Sequence, residues 1–170
     1  MKLKFIALAM LLFILAGCLV PEQPVIPVKG ASNKDWNSQT FWYEPWGSSG
    51  THKGIDIFAA TSTPVIAPTP MLLLYKGDFF KGGKVVVGLG PKWQIHYFAH
   101  LGSIEASTGL FATGGETLGT VGTTGNAQGK PPHLHYSILS LFPRPWRIDT
   151  STQGYKKAFY LKPIEYLEAK

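Results

Sequence analysis

His52 and Asp56 stand four residues apart in His52-Lys53-Gly54-Ile55-Asp56, and His133 and His135 stand two apart in His133-Leu134-His135. Imidazole and carboxylate are the groups that hold a catalytic zinc, with three protein ligands and a fourth position open to water. On a β-strand, residues i, i+2 and i+4 share a face. The spacing therefore predicts that His52 and Asp56 point the same way, and that His133 and His135 do too. Two such strands side by side would offer His, Asp and His to one ion. A third segment, Phe98-Ala99-His100-Leu101, carries another imidazole. The fifth histidine, His96, falls on the His100 face by strand parity, so parity does not exclude it. Chemistry alone leaves open which of these residues bind. What such a set supports is metal-assisted hydrolysis.

The elements that must position these groups read as β. Val65-Ile66-Ala67, Met71 to Tyr75, Lys84 to Val87 and Gln94 to His100 are short apolar or alternating runs. Lys81-Gly82-Gly83 and Gly88-Leu89-Gly90-Pro91 punctuate them. Glycines recur at 114, 115, 119, 122, 125 and 129, and a short helix is expected only at Pro163 to Lys170. Many short strands with glycine-rich turns predict a mainly β fold, an antiparallel sandwich or an open, barrel-like sheet.

Upstream, Lys2 and Lys4 precede an apolar run from Phe5 to Ala16, which ends in Leu15-Ala16-Gly17-Cys18. That pattern describes a secretory signal over residues 1–17, too short to span a bilayer comfortably. Leu-Ala-Gly-Cys resembles a bacterial lipobox, which implies cleavage before Cys18 and lipidation of that residue. The alternatives are an uncleaved anchor, or a plain signal with an incidental cysteine. Several acyl chains on one residue would hold the protein firmly to a membrane. With Leu19 following, the resemblance implies the outer membrane, facing the periplasm, if the host is Gram-negative. Residues 18–35 contain Pro21, Pro24 and Pro27 and read as a tether reaching on the order of 50 Å. Residues 36–170 are then a single domain. Loss of Lys2 and Lys4 lowers the formal charge from +6 to +4. A mildly basic exported chain favours acidic envelope polymer over nucleic acid.

His52-Lys53-Gly54-Ile55-Asp56 and Thr63-Pro64-Val65-Ile66-Ala67-Pro68 resemble the opening of the lysostaphin/LytM-type zinc endopeptidases. Phe98-Ala99-His100-Leu101 is similar to that family's Tyr-x-His-Leu segment. Glu116 to Gly125 followed by Pro132-His133-Leu134-His135 resembles its glycine-rich approach to a final His-x-His, and Leu161 to Leu167 is similar to a common family ending. Four motifs lie in order between about 50 and 167. The resemblance implies one Zn2+ held by His52, Asp56 and His135. It implies His133 as general base and His100 as the residue that orients the water or stabilises the oxyanion. His96 has no counterpart and reads as structural. The departures are Phe98 for the usual tyrosine, Thr69-Pro70-Met71 where a glycine turn is usual, and short loops after Tyr75 and after His100.

These readings converge on a zinc metalloendopeptidase acting on peptidoglycan stems or cross-links, expected as a monomer whose partners are the peptidoglycan peptide and, through Cys18, the membrane. A catalytically silent wall-binding module and a zinc peptidase acting on protein are the other readings. Of the aromatics before the first motif, Trp36, Phe41, Trp42 and Tyr43 read as packing. Trp46 and the Gly47–Gly50 loop are groove candidates. Arg144 and Arg147 read as a solvated loop, and Glu105 and Glu116 as surface.

Overall fold

The structure is a computed structural model and describes residues 2–105 and 109–168. Among the described residues, nine strands form one open antiparallel sheet. They are β1 (Ile55–Phe58), β2 (Pro64–Ile66), β3 (Met71–Phe79), β4 (Gly83–Gly90), β5 (Gln94–Ile104), β6 (Phe111–Ala112), β7 (Thr117–Val121), β8 (His133–Ser140) and β9 (Tyr160–Leu161). The main path runs β1-β8-β5-β4-β3-β6. Off that path β7 joins β5 and carries β2, and β9 extends β8. Each predicted apolar run falls in or against one of these strands. The C-terminal helix, α2, spans Pro163–Glu168, and the last two residues of the expected range lie outside the described residues. Proline at its first position suits a helix start, where no N–H partner is needed.

Alternation in the central strands makes two faces. Leu134, Tyr136 and Ile138 of β8 are fully buried in the core, with Ile55 and Ile57 of β1 and Phe98 of β5. The intervening residues, His133, His135, Ser137 and Leu139 of β8, line the opposite face. Burying each large apolar side chain contributes on the order of 1.5–3 kcal/mol. A one-residue slip would turn every histidine of β8 into that core, so the apolar face fixes the register of the site.

The segment expected as a free tether is largely docked. Val28 is buried and bridges to Val65. The Val25, Lys29 and Ile66 amides donate to the carbonyls of Pro68, Pro64 and Pro27 respectively. Further upstream the Glu22 carboxylate accepts from Tyr166 Oη at 2.9 Å and meets Lys92 Nζ at 2.8 Å. Proline lacks an amide donor, yet Pro27 takes part through its carbonyl, which it keeps. The apolar N-terminal run forms α1 (Lys2–Leu19), which lies against Trp93. That indole donates to the Ile14 carbonyl at 2.9 Å and its ring sits 4.8 Å from Phe13. Among the described residues, no helix is long and apolar enough to cross a membrane.

Candidate active site

Asp56 on β1 lies directly opposite His135 on β8, and His135 lies opposite Ala99 on β5. Cross-strand partners share a face, so Asp56 and His135 meet on the groove side. His52 reaches the same point from outside the sheet, because β1 begins only at Ile55. Its amide donates to the Tyr43 carbonyl and its carbonyl accepts from the Trp42 amide. The expected strand face thus applies to Asp56 but not to His52. Gly54 explains the break: a Cβ there would come within 2.4 Å of the Tyr136 carbonyl oxygen and 3.0 Å of His135 Cε1. The chain can cross β8 this closely only without a side chain.

Three donor atoms converge. His135 Nδ1 is 2.8 Å from Asp56 Oδ1, His52 Nε2 is 3.1 Å from that oxygen, and the two nitrogens are 3.0 Å apart. Bonds of about 2.0–2.1 Å in a tetrahedral shell place neighbouring ligands roughly 3.3 Å apart, so these residues fit a metal ion. The tautomers support the fit. His52 Nδ1 faces the Thr40 carbonyl at 3.0 Å, and a carbonyl only accepts, so Nδ1 carries the hydrogen. His52 Nε2 is then a bare lone pair aimed at a carboxylate oxygen, an arrangement that a cation between them resolves. His135 Nε2 is oriented by Ser137 Oγ at 3.0 Å. Such outer contacts fix ring orientation around a metal. Burial would raise the Asp56 carboxyl, but the adjoining His135 and His52 imidazoles hold it far below the usual carboxylate range. Burial lowers His135. Both effects favour the forms that bind a metal.

His100 enters by a departure from strand alternation. Parity would place it with His96 and Phe98, facing the core. Its φ of 66° turns the backbone into the left-handed region, and the β5 register shifts on either side of it. A bulge of this kind re-aims a side chain, and His100 lines the groove while His96 stays in the core. The His100 amide donates to Gly82, and its ring Nδ1 donates to the Thr124 carbonyl at 2.9 Å. Burial, then the neighbouring His135, lowers His100 to about 4, so it is neutral at pH 7 with Nε2 as its free acceptor. His133 Nδ1 likewise donates to the Pro131 carbonyl at 2.7 Å, leaving Nε2 unprotonated in the neutral ring. The His133 and His100 ring centroids are 5.1 Å apart, and His100 and His135 are 6.0 Å apart.

His52, Asp56, His100, His133 and His135 therefore share one groove of about 660 Å³. Trp46 belongs to it as expected, stacked on His52 with centroids 4.1 Å apart. Trp36 is buried in the core. Among the groove's lining residues Lys53, Lys81 and Lys130 supply positive charge, and Asp56 is the sole acid. Sequence reading missed Phe58, Tyr97 and Tyr160 as lining residues. Phe58 and Tyr97 follow from alternation with Asp56 and Ala99. Tyr160 has no such signal, since β9 reaches β8 from a distant irregular stretch.

His96 is structural. It is fully buried, with Nδ1 2.7 Å from Tyr136 Oη, and burial lowers it to about 3 from 6.5. The unfolded chain therefore binds the extra proton between those values, and stability falls as pH drops from 6.5 towards 3. The slope is at most about 1.4 kcal/mol per pH unit for one group. A His96→Gln variant should lose stability less steeply than the natural chain in urea titrations at pH 7, 6 and 5. Parallel slopes would contradict this assignment.

An open antiparallel sheet with a His/Asp/His centre in a groove, flanked by two further imidazoles, defines a candidate hydrolase site. Residues 50–144 match the model of Peptidase family M23, and the chain belongs to that family. It is 33% identical over 113 residues to an L-Ala–D-Glu endopeptidase of Bacillus subtilis, covering 61% of this chain and 35% of that protein. It is 36% identical over 85 residues to the DD-carboxypeptidase/endopeptidase Mpg of Neisseria meningitidis, covering 50% of this chain and 19% of that protein. The chain thus spans about a third or less of these relatives' lengths. In fold it is similar to the catalytic domain of lysostaphin from Staphylococcus simulans. The TM-score is 0.56 at 23% identity, over 73% of this chain and 85% of that one.

Proposed function

We propose that this chain is a zinc-dependent endopeptidase that hydrolyses peptide amides of peptidoglycan. The observation that carries the reading is the convergence of His52 Nε2, Asp56 Oδ1 and His135 Nδ1 beside two further imidazoles in an open groove. When bound, zinc supplies Lewis acidity to the scissile carbonyl and acidifies a water. His133 Nε2, with its hydrogen held on Nδ1 by Pro131, takes the proton of the attacking water and returns it to the leaving amine. His100, neutral and with Nε2 free, accepts a hydrogen from the same water and fixes its orientation. Of the two roles its resemblance implies, that tautomer favours orientation.

The lipobox-like Leu15-Ala16-Gly17-Cys18, with Cys18 exposed at the end of α1, supports a lipid anchor and work in the cell envelope. The curated relatives support a stem peptide or its cross-link as substrate. The lysine-bearing groove adds a preference for anionic stems over neutral bridges. A Lys81→Glu/Lys130→Glu variant should lose on the order of tenfold in kcat/KM on an acidic stem peptide at low salt. The loss should shrink at high salt and vanish on the amidated peptide. Equal losses on both peptides would place those lysines in folding rather than recognition.

The deciding experiment incubates the zinc-loaded full chain with purified peptidoglycan and identifies released fragments by mass spectrometry, beside His133→Ala. Peptide fragments produced by the natural chain alone establish the activity and name the bond. Bound zinc without fragments would overturn the peptidoglycan assignment.

A further inference from the structure

The loop Leu141 to Ile148 follows β8 and displays apolar side chains to solvent: Trp146 is 79% exposed, Ile148 51%, Leu141 47% and Phe142 43%. Arg144 and Arg147 are interleaved with them, and no acid occurs before Asp149. Pro143 and Pro145 restrict the backbone between the rings, and the last part closes into a tight turn at Pro145–Arg147. The loop is continuous with Trp93. The Leu141 amide donates to the Trp93 carbonyl at 3.0 Å, and the Phe142 and Trp93 rings meet edge to face at 6.5 Å. Large aromatic rings beside arginines suit a bilayer interface, where the rings enter the headgroup boundary and the guanidiniums meet phosphate.

The path of the chain says what lies beneath this face. Glu22 is held by Lys92 and Tyr166, immediately next to Trp93. Cys18 lies four positions upstream of it, a span of at most about 14 Å when fully extended. A lipid on Cys18 therefore enters its membrane close to Trp93 and the loop beyond it. If the leader is retained instead, its apolar helix already contacts Trp93 through Phe13 and Ile14. Either course brings the same face to the same surface.

We propose that Leu141–Ile148, with Lys92 and Trp93, is a docking surface for a bilayer carrying anionic phospholipid headgroups, so that the anchored domain lies on its membrane rather than swinging from it. The proposal rests on the membrane anchorage read from residues 1–18. It extends that reading by assigning a second, non-covalent contact.

The test uses the full chain reconstituted into vesicles of mixed phosphatidylcholine and phosphatidylglycerol. Nitroxide labels are placed at Trp146→Cys and, as a control, at Phe80→Cys on the β3–β4 hairpin tip, where the side chain is 94% exposed. The label at 146 should be reached by oxygen and shielded from a water-soluble nickel chelate, whereas the label at 80 should be open to the chelate. Adding Arg144→Glu and Arg147→Glu should return the label at 146 towards water, with about a fivefold loss of docking per charge removed. Chelate access at 146 equal to that at 80 would overturn the proposal. The mass of the N-terminal peptide reads the anchor separately. Shielding at 146 with an unacylated Cys18 would support the docking surface and remove the lipid reading alone.

Discussion

An Asp56→Ala chain should purify without metal and show no hydrolysis above background. Three donors are the least that holds a catalytic zinc firmly, and Asp56 is the member that supplies negative charge. Its removal also leaves the lone pair of His52 Nε2 facing His135 Nδ1, 3.0 Å away, with nothing anionic beside them. Loss of an outer-shell partner typically costs 10–100-fold in metal affinity, so loss of this ligand should exceed about 100-fold. Zinc per chain after gel filtration, with chelator competition for affinity, would measure it. Stoichiometric zinc in the variant would remove Asp56 from the ligand set. The same geometry sets the acid limit of metal binding. Asp56 stays ionised far below neutrality, so release on acidification should follow protonation of imidazoles and not of the carboxylate.

The second large effect separates binding from chemistry. His133→Ala should retain one zinc and leave KM within a few-fold, yet lower kcat by about 10²–10⁴, the usual contribution of a positioned acid or base. His133 contributes no atom to the three-donor cluster, and its ring is oriented by Pro131 rather than by the metal ligands. Added imidazole should restore part of the lost rate, because the gap left by the side chain opens onto the groove. Loss of zinc in this variant would mean that His133 is a ligand. Unchanged kcat would assign the base to another group, with His100 the nearest neutral imidazole.

Much of this was legible in the sequence because the core face is written in alternating residues. Leu134, Tyr136 and Ile138 fix the side to which His133 and His135 must turn. The same rule extends across the register to Asp56 and Ala99. Three features escaped it for physical reasons. His52 precedes its strand, since Gly54 lets the chain pass too near β8 for a ladder to continue. His100 and His96 share a parity yet face opposite ways, because a left-handed residue inside β5 cancels the alternation. Tyr160 joins the groove through a long-range pairing of β9 with β8 that no local pattern encodes. At the N-terminal side the prolines mark a tether, and nothing in the local composition signals the isolated Val28–Val65 bridge that holds residues 25–29 against β2.

The docking of residues 25–29 has a consequence for any shortened form of the protein. Residues 25–29 cover the side of β2 that β7 does not, satisfying the Ile66 amide and the carbonyls of Pro64 and Pro68. A chain begun at Asn33 or Trp36 would strip this cover. It would leave a void where Val28 sits and present a bare row of β2 backbone groups to other molecules. Unpaired edges of this kind invite strand addition between copies. Clumping in such a truncated preparation would then report the missing strap and not a fault in the catalytic fold.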